Sequence, residues 1–178
     1  RRLRLPLAHR LAARRLLAPW QGLARRFGDA ANGTPDGSLD AYALIGEEVL
    51  RGDLVTVEGF VAGGRAGILG VVDARFHPGT ISFRRFDYPS RCPAPVQARM
   101  RALATRCVAA LGLDDACWNV ELFHDPDRDT LHVVEVNPRM AYQFADLYEK
   151  VDGRSTYDVA LAIAAGRPPP PSPGAGPF

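Results

Sequence analysis

Lysine is almost absent from this sequence. Of the 22 basic residues in the 178-residue chain, only Lys150 is a lysine, an imbalance typical of biased codon usage. Long apolar runs are also missing, since no stretch approaches the roughly 18 consecutive apolar residues of a membrane-spanning helix. The composition, 47% hydrophobic and 24% charged, is therefore that of a single globular domain with enough apolar material for a core.

Cysteine is scarce as well, and its spacing excludes several classes of site. The three cysteines, Cys92, Cys107 and Cys117, form no C-x-x-C pair, and no His/Cys cluster has zinc-ligand spacing. We expect them to pack in the core of a protein from a reducing, cytoplasmic compartment. The chain also lacks G-x-S-x-G and G-x-x-x-x-G-K-[ST], so it predicts neither an α/β-hydrolase nor a P-loop protein.

Positive charge is concentrated at the start of the chain. Residues 1–28 hold eight arginines and no acidic residue, whereas the rest of the chain has 14 basic and 20 acidic residues. Leucine and alanine alternate with arginine at helical spacing, which predicts a basic amphipathic helix. It could bind an anionic membrane or nucleic acid, or act as a transit peptide. We favour a helix that packs its apolar side on the sheet, because no serine enrichment supports targeting.

The most informative stretch is WNVELFHDPDRDTLHVVEVNPR, residues 118–139. Two runs rich in Val, Leu, Trp and Phe flank a polar, proline-containing segment, a pattern typical of a β-hairpin. If the loop centres on Arg128, Glu121 lies opposite Glu135 and Asn119 lies opposite Asn137. Both carboxylates then share one face of the sheet.

Like charges directly opposite each other on paired strands repel, and each raises the pKa of the other. A hard divalent cation would relieve this repulsion, because carboxylate and amide oxygens suit Mg²⁺ or Mn²⁺. Arg139 has the same side-chain parity as Asn137 if the strand continues through Pro138, and could meet an anionic group at the metal. The same residues also fit an ordinary solvated sheet face.

NVELF followed by VVEVNPR resembles the metal-binding end of the ATP-grasp superfamily, in which a Glu on one strand precedes E-x-N-x-R on the next. The resemblance implies that Glu121, Glu135 and Asn137 hold Mg²⁺ against the ATP phosphates. It also implies that Arg139 stabilises the transferred phosphoryl group or the acyl-phosphate. ATP and Mg²⁺ (or Mn²⁺) are the cofactors that this resemblance predicts.

Residues 41–60 contain two strand-like runs, AYALIGEEVL and LVTVEGF, separated by a turn at Gly52. They resemble the ATP-grasp hinge, whose backbone groups contact adenine, although Leu54 stands where many relatives carry an acidic residue for the ribose. A solvated strand edge is the other interpretation for the two glutamates. The resemblance assigns nucleotide binding to Glu47, Glu48, Val49 and Leu50.

ATP-grasp proteins usually grip the α- and β-phosphates with two lysines on an upstream lobe, and nothing before Lys150 can play that part. Because the chain also begins Arg-Arg, we expect a fragment that is truncated at its N-terminus. Residues 80–95, TISFRRFDYPSRCPAP, correspond to a stretch that borders the acceptor-substrate pocket in relatives. Arginines there would suit a carboxylate, but they could equally be exposed strand residues. The candidate substrate-binding residues are Arg84, Arg85, Tyr88 and Arg91.

The remaining patterns predict a second hairpin and three helices. The AGGRAG turn, residues 62–67, should join the strand that contains Glu58 to GILGVVDARF. Val96, Met100, Leu103, Cys107 and Leu111 mark the buried stripe of a helix that ends at Gly112. Two further helices should follow the metal hairpin, separated at Gly153, with Ser155 or Thr156 as a cap and Gly166 at the end.

The predicted fold is α+β: a mostly antiparallel sheet of at least five strands with helices on one face, equivalent to the C-terminal lobe of an ATP-grasp unit. We expect a basic segment at 1–38, the lobe at 39–166, and a disordered proline-rich tail at 167–178. The resemblance implies a ligase that activates a small-molecule carboxylate as an acyl-phosphate and joins it to an amine, without nucleic-acid or membrane partners. A non-catalytic nucleotide-binding module and a basic interaction module acting through residues 1–28 remain open alternatives.

Overall fold

A computed structural model describes residues 49–177 and two short strands, Arg2–Arg4 (β1) and Ala43–Ile45 (β2). These two strands pair antiparallel, with Leu3 opposite Leu44. Because Arg2–Arg4 is extended, the helix predicted within residues 1–28 does not include them. The rest of that segment lies outside the described residues, as do the hinge residues Glu47 and Glu48. The chain divides into two compact units, Arg1–Val49 and Leu50–Phe178.

The second unit is built on a five-stranded sheet in which every pair of neighbouring strands is antiparallel. Its strands are Asp53–Ala62 (β3), Arg65–Phe76 (β4), Phe83–Asp87 (β5), Ala116–Asp125 (β6) and Thr130–Asn137 (β7), in the order β5-β4-β3-β6-β7. The helices are Ala94–Ala110 (α1), Ala145–Asp152 (α2) and Thr156–Ala164 (α3), with a 3₁₀ turn at Tyr142–Phe144. The predicted α+β class and antiparallel sheet are confirmed.

The glycine-rich turn between β3 and β4 forms the predicted hairpin rather than a phosphate loop. Gly63 and Gly64 both have positive φ, which glycine adopts without a steric penalty. Their backbone N–H groups donate to the carboxylates of Asp115 and Asp114 at 3.0 and 2.9 Å. The turn is thereby attached to the start of β6.

Both faces of the sheet are covered at its three central strands, each face by different helices. Successive strand residues point to opposite faces, so Val71 and Val72 belong to separate clusters. One cluster packs against Met100 of α1, and the other packs against Tyr148 of α2 and Val159 of α3. Here the structure departs from the expectation of helices on one face only, because the apolar residues of β4 alternate between two covered faces.

Helix α1 ends at the predicted glycine, Gly112, which has a φ of 65°, but its buried stripe is shifted. The fully buried residues are Met100, Ala104 and Val108, which are spaced at four-residue steps along one face. Leu111 is 60% exposed. The prediction that it belongs to the core is therefore wrong. The small residue Ala104 lies in the same buried cluster as the strand residues Val57 and Val120.

Helices α2 and α3 follow the prediction closely. Gly153, with a φ of 69°, ends α2, and Ser155 caps α3 by accepting a hydrogen bond from the Tyr157 N–H at 3.2 Å. After α3 the chain has no helix or strand through residue 177. This tail was predicted to be disordered, but its backbone contacts α2: the Gly176 N–H donates to the Val151 carbonyl at 2.8 Å. Within the described part of the chain, no helix is long and apolar enough to span a bilayer.

Candidate functional site

The hairpin of β6 and β7 places the two predicted glutamates side by side. Glu121 lies directly opposite Glu135, and Asn119 lies directly opposite Asn137. Directly paired residues of antiparallel strands point to the same face. These four side chains therefore occupy the face of the sheet that α2 and α3 partly cover.

The register is produced differently from the way the sequence suggested. The turn does not centre on Arg128, because Asp125 pairs with Thr130 and Leu122 pairs with Val133. An irregularity in the ladder between Glu121 and Leu122 leaves Val134 as an extra residue on β7. Such a bulge shifts the alternation by one residue, and it is this shift that brings Glu135 and Asn137 onto the face of Glu121.

The two carboxylates differ in exposure and share an unfavourable electrostatic environment. Glu121 is half-buried, whereas Glu135 is exposed. Burial raises the pKa of Glu121, the negative charge of Glu135 raises it further, and the positive charge of Arg139 lowers it. The pair therefore concentrates negative charge that the protein only partly neutralises.

Hydrogen bonds fix the orientation of Asn137. Its amide nitrogen donates to Glu135 Oε1 at 2.6 Å and to Asn119 Oδ1 at 3.1 Å. The carbonyl oxygen of the Asn137 amide points away from these two acceptors, and it accepts a hydrogen bond from the Arg139 guanidinium at 3.4 Å. Asn137 can offer an oxygen to a cation while its nitrogen is used within the protein.

Arg139 follows β7 and is exposed. Its contact with Asn137 shows that the expected side-chain parity is retained beyond the end of the strand at Asn137. Its guanidinium also donates to the Met140 carbonyl at 3.3 Å. Neither partner carries a formal charge, so the cation is available to an anionic ligand.

The sequence predicted no role for Glu58, which lies beside this set. Glu58 pairs with Asn119 across β3 and β6 and is completely buried. Its Oε1 accepts from the Ala141 N–H at 2.7 Å. Burial raises the pKa of Glu58 to about 7, although the Ala141 N–H lowers it in part. The only sequence signal was a glutamate in the otherwise apolar run VTVEGF, and its burial depends on distant helices.

Two tyrosine rings pack over Gly70, the residue of β4 that is paired with Glu58. Gly70 pairs with Glu58 from β4, and a Cβ atom there would lie 2.5 Å from the rings of both Tyr88 and Tyr148. The two rings pack edge to face with centroids 4.7 Å apart. Burial, with a smaller effect from the charge of Glu58, raises the pKa of Tyr148 well above its ordinary value.

The predicted substrate-binding residues do not gather in one place. An irregularity in the β4–β5 ladder leaves Arg84 as an unpaired extra residue of β5, and Arg85 is paired with Asp87 at 2.8 Å. Tyr88 donates a hydrogen bond to Asp152, and Arg91 is exposed. Of the hinge residues, Val49 is 85% exposed and Leu50 is half-buried. Their predicted roles stay predictions.

Known proteins resemble this chain over its C-terminal half. Residues 91–170 match the family described as carbamoyl-phosphate synthase L chain, ATP binding domain. Carnosine synthase 1 of Gallus gallus is 38% identical over 82 residues, which are 46% of this chain and 9% of that protein. The chain therefore covers only a small part of this relative's length.

Solved structures share the fold. The urea carboxylase of Kluyveromyces lactis superposes with a TM-score of 0.58 at 26% identity, over 66% of this chain and 10% of that one. The L-amino acid ligase of Bacillus licheniformis has a TM-score of 0.58 at 20% identity, over 66% and 30% of the two chains. The Glu121, Glu135, Asn137 and Arg139 set thus lies on a fold shared with ATP-grasp proteins, and residues 91–170 match an ATP-binding domain of that superfamily.

Proposed function

We propose that this chain supplies the metal and phosphate site of an ATP-dependent ligase that joins a carboxylate to an amine or a similar nucleophile. The observation that carries the proposal is the direct opposition of Glu121 and Glu135, with Asn137 and Arg139 beside them. This arrangement concentrates anionic oxygen donors and one cation at a single sheet face. It suits a ligand that combines a metal ion with phosphate.

The donor set fits Mg²⁺ or Mn²⁺. Among the described residues, no cluster of three or more His, Cys, Asp and Glu side chains is suited to a metal. The set is instead two carboxylates and the amide oxygen of Asn137, which also accepts a hydrogen bond from Arg139. Mg²⁺ typically takes one or two protein carboxylates and completes its shell with water and substrate phosphates. When bound, the ion would neutralise charge on the phosphate oxygens.

The reaction that these residues suit is acyl activation. A carboxylate oxygen of the substrate attacks the γ-phosphorus of ATP, the bond to ADP breaks, and an acyl-phosphate forms. The amine then attacks the acyl carbon, phosphate leaves, and the nitrogen loses a proton. Arg139 would stabilise the phosphoryl oxygens through charge-assisted hydrogen bonds. Catalysis of this kind rests mainly on positioning and charge neutralisation.

Arg84 is our candidate for the substrate carboxylate. It is exposed at the irregularity of the β4–β5 ladder, whereas Arg85 is held by Asp87. Neither Arg84 nor Arg91 has an ion-pair partner within the described portion of the chain. Both remain available to a small anionic substrate.

Nucleotide binding should be weak at the phosphate end. We assign the adenine contact to residues 47–50, but the single lysine, Lys150, lies on α2 and is paired with Asp146 at 2.7 Å. Because the chain lacks the two lysines that usually bind the α- and β-phosphates, we expect ATP to bind with a Kd near 1 mM, about −4 kcal/mol. A complete site with micromolar affinity corresponds to about −8 kcal/mol.

Calorimetric titration with Mn²⁺ tests the proposal. Glu135→Gln removes one negative charge and keeps the shape of the side chain, so it should abolish measurable Mn²⁺ binding. The control is Glu149→Gln, which removes an exposed carboxylate from α2 and should leave the affinity unchanged. Equal Mn²⁺ affinity in the wild type and Glu135→Gln would refute the metal site.

A further inference from the structure

Arg139 stands on a short segment, residues 138–141, that belongs to neither β7 nor the following 3₁₀ turn. The side chain of Arg139 is exposed, yet the backbone around it is held by buried polar side chains at two points. Asn119 Nδ2 donates to the Arg139 carbonyl at 3.0 Å. Glu58 Oε1 accepts from the Ala141 N–H at 2.7 Å.

The two side chains that bind this segment, Asn119 and Glu58, lie in the interior of the protein. Glu58 is fully buried, and Asn119 and Ala141 are each 2% exposed. A buried backbone N–H without a partner is costly, so the acceptor on β3 is needed to satisfy Ala141. Burying a carboxylate is itself unfavourable, and its second oxygen, Oε2, has no hydrogen-bond partner among the described residues. An apolar side chain would have been the simpler way to fill this space.

Asn119 also connects this segment to the carboxylate pair. Its Oδ1 accepts from the Asn137 amide, whose nitrogen also donates to Glu135 Oε1. One continuous hydrogen-bond network thus runs from Glu135 through the two asparagines to the backbone of Arg139. The position of the guanidinium relative to the carboxylates is therefore set by side chains that are too deeply buried to contact a ligand.

We propose that Glu58 and Asn119 are positioning residues that hold the backbone of residues 139–141 and thereby direct the Arg139 guanidinium toward the phosphate end of the metal site. This inference rests on the proposed function for the ligand that Arg139 meets. The backbone attachment itself does not depend on that function. Neither residue is expected to touch metal or nucleotide.

The test compares Glu58→Met with Glu58→Gln in the full chain. Both variants are uncharged and of similar size, but only the glutamine retains an oxygen that accepts from Ala141. Amide hydrogen exchange followed by NMR should show at least about tenfold lower protection of the Ala141 N–H in Glu58→Met, and near wild-type protection in Glu58→Gln. The Arg139 Nε–H resonance, identified by its loss in Arg139→Ala, should change in Glu58→Met only.

Binding of inorganic triphosphate in the presence of Mn²⁺ provides the functional readout. Glu58→Met should weaken triphosphate binding about tenfold, as expected for one charge-assisted hydrogen bond, and should leave Mn²⁺ affinity alone unchanged. Arg139→Ala should weaken it to the same degree. The double variant should be no weaker than Arg139→Ala, because Glu58 acts through Arg139.

Additive losses in the double variant, or an unchanged Arg139 resonance in Glu58→Met, would overturn the positioning role. If the wild type binds neither Mn²⁺ nor triphosphate, the proposed function fails, and the Arg139 resonance alone decides the positioning role. Should Glu58→Met not fold, Asn119→Asp replaces it. That variant keeps the oxygen that accepts from Asn137, loses the donor to the Arg139 carbonyl, and should displace the Arg139 resonance in the same way.

Discussion

Replacing Glu58 by glutamine should make the protein more stable at alkaline pH. Burial raises the pKa of Glu58 to about 7 from its ordinary value near 4.5. In the unfolded chain this carboxyl loses its proton near pH 4.5, whereas in the folded protein it keeps the proton until about pH 7. Between these values unfolding releases a proton, so folding stability falls as the pH rises.

The size of the effect follows from the difference between the two pKa values. At about 1.4 kcal/mol for each pH unit, the loss amounts to about 3 kcal/mol between pH 4.5 and pH 7.5. Glutamine stays neutral throughout this range and retains the oxygen that accepts from the Ala141 N–H. The free energy of unfolding of Glu58→Gln minus that of the wild type should therefore increase by about 3 kcal/mol between pH 4.5 and pH 7.5. At pH 7.5 the variant should be the more stable of the two proteins.

Urea unfolding at closely spaced pH values, followed by fluorescence of the buried Trp118, measures this difference. Subtracting the wild-type curve from the variant curve cancels the groups that both proteins share. Glu149→Gln, at an exposed position, is the matched control and should give a flat difference. A flat difference for Glu58→Gln between pH 5 and pH 8 would refute the raised pKa.

Three further changes test other parts of the structure. In an active preparation, Arg139→Ala should lower kcat for ADP formation more than it weakens ATP binding, which steady-state kinetics and calorimetry together would show. Asp129 has a φ of 50° and its carboxylate binds Arg99 at 2.7 Å, but both side chains are exposed. Asp129→Gly should retain most of the stability of the wild type, whereas Asp129→Ala should be less stable than Asp129→Gly because alanine is strained at a positive φ, as measured by urea unfolding. Gly70→Ala should destabilise the fold by about 1–3 kcal/mol in thermal unfolding, because its Cβ would lie 2.5 Å from two tyrosine rings.

Local patterns predicted the elements of the second unit well. Alternating apolar residues and turn residues identified both hairpins, and the glycines at 112 and 153 marked the helix ends. These signals act within a few residues along the chain, so sequence alone carries them. The pairing of Glu121 with Glu135 was also predicted correctly, but from a turn centre that the structure does not have.

What could not be predicted depends on packing between distant segments. The burial of Glu58 results from helices that lie more than 80 residues later in the chain, as its bond to Ala141 illustrates. The exposure of Leu111 depends on where α1 leaves the sheet. Arg84 and Arg85 looked equivalent in the sequence, but only Arg85 pairs with β4 and with Asp87, and Arg84 is an extra residue at an irregularity of the ladder. The network around Asn119 requires three strands and a loop to be in place.

The bulge at Val134 has a consequence for the length variation that this hairpin can tolerate. An unbroken ladder continued from the Leu122–Val133 pair would put Val134 opposite Glu121 and turn Glu135 to the other face. Deletion of Val134 would remove the extra residue and still leave the glutamate opposite Glu121. An insertion at the same place would turn the glutamate away from its partner. Loss of one residue at this point therefore preserves the carboxylate pair, whereas gain of one residue does not. Homologues that are one residue shorter at this point can keep the pair.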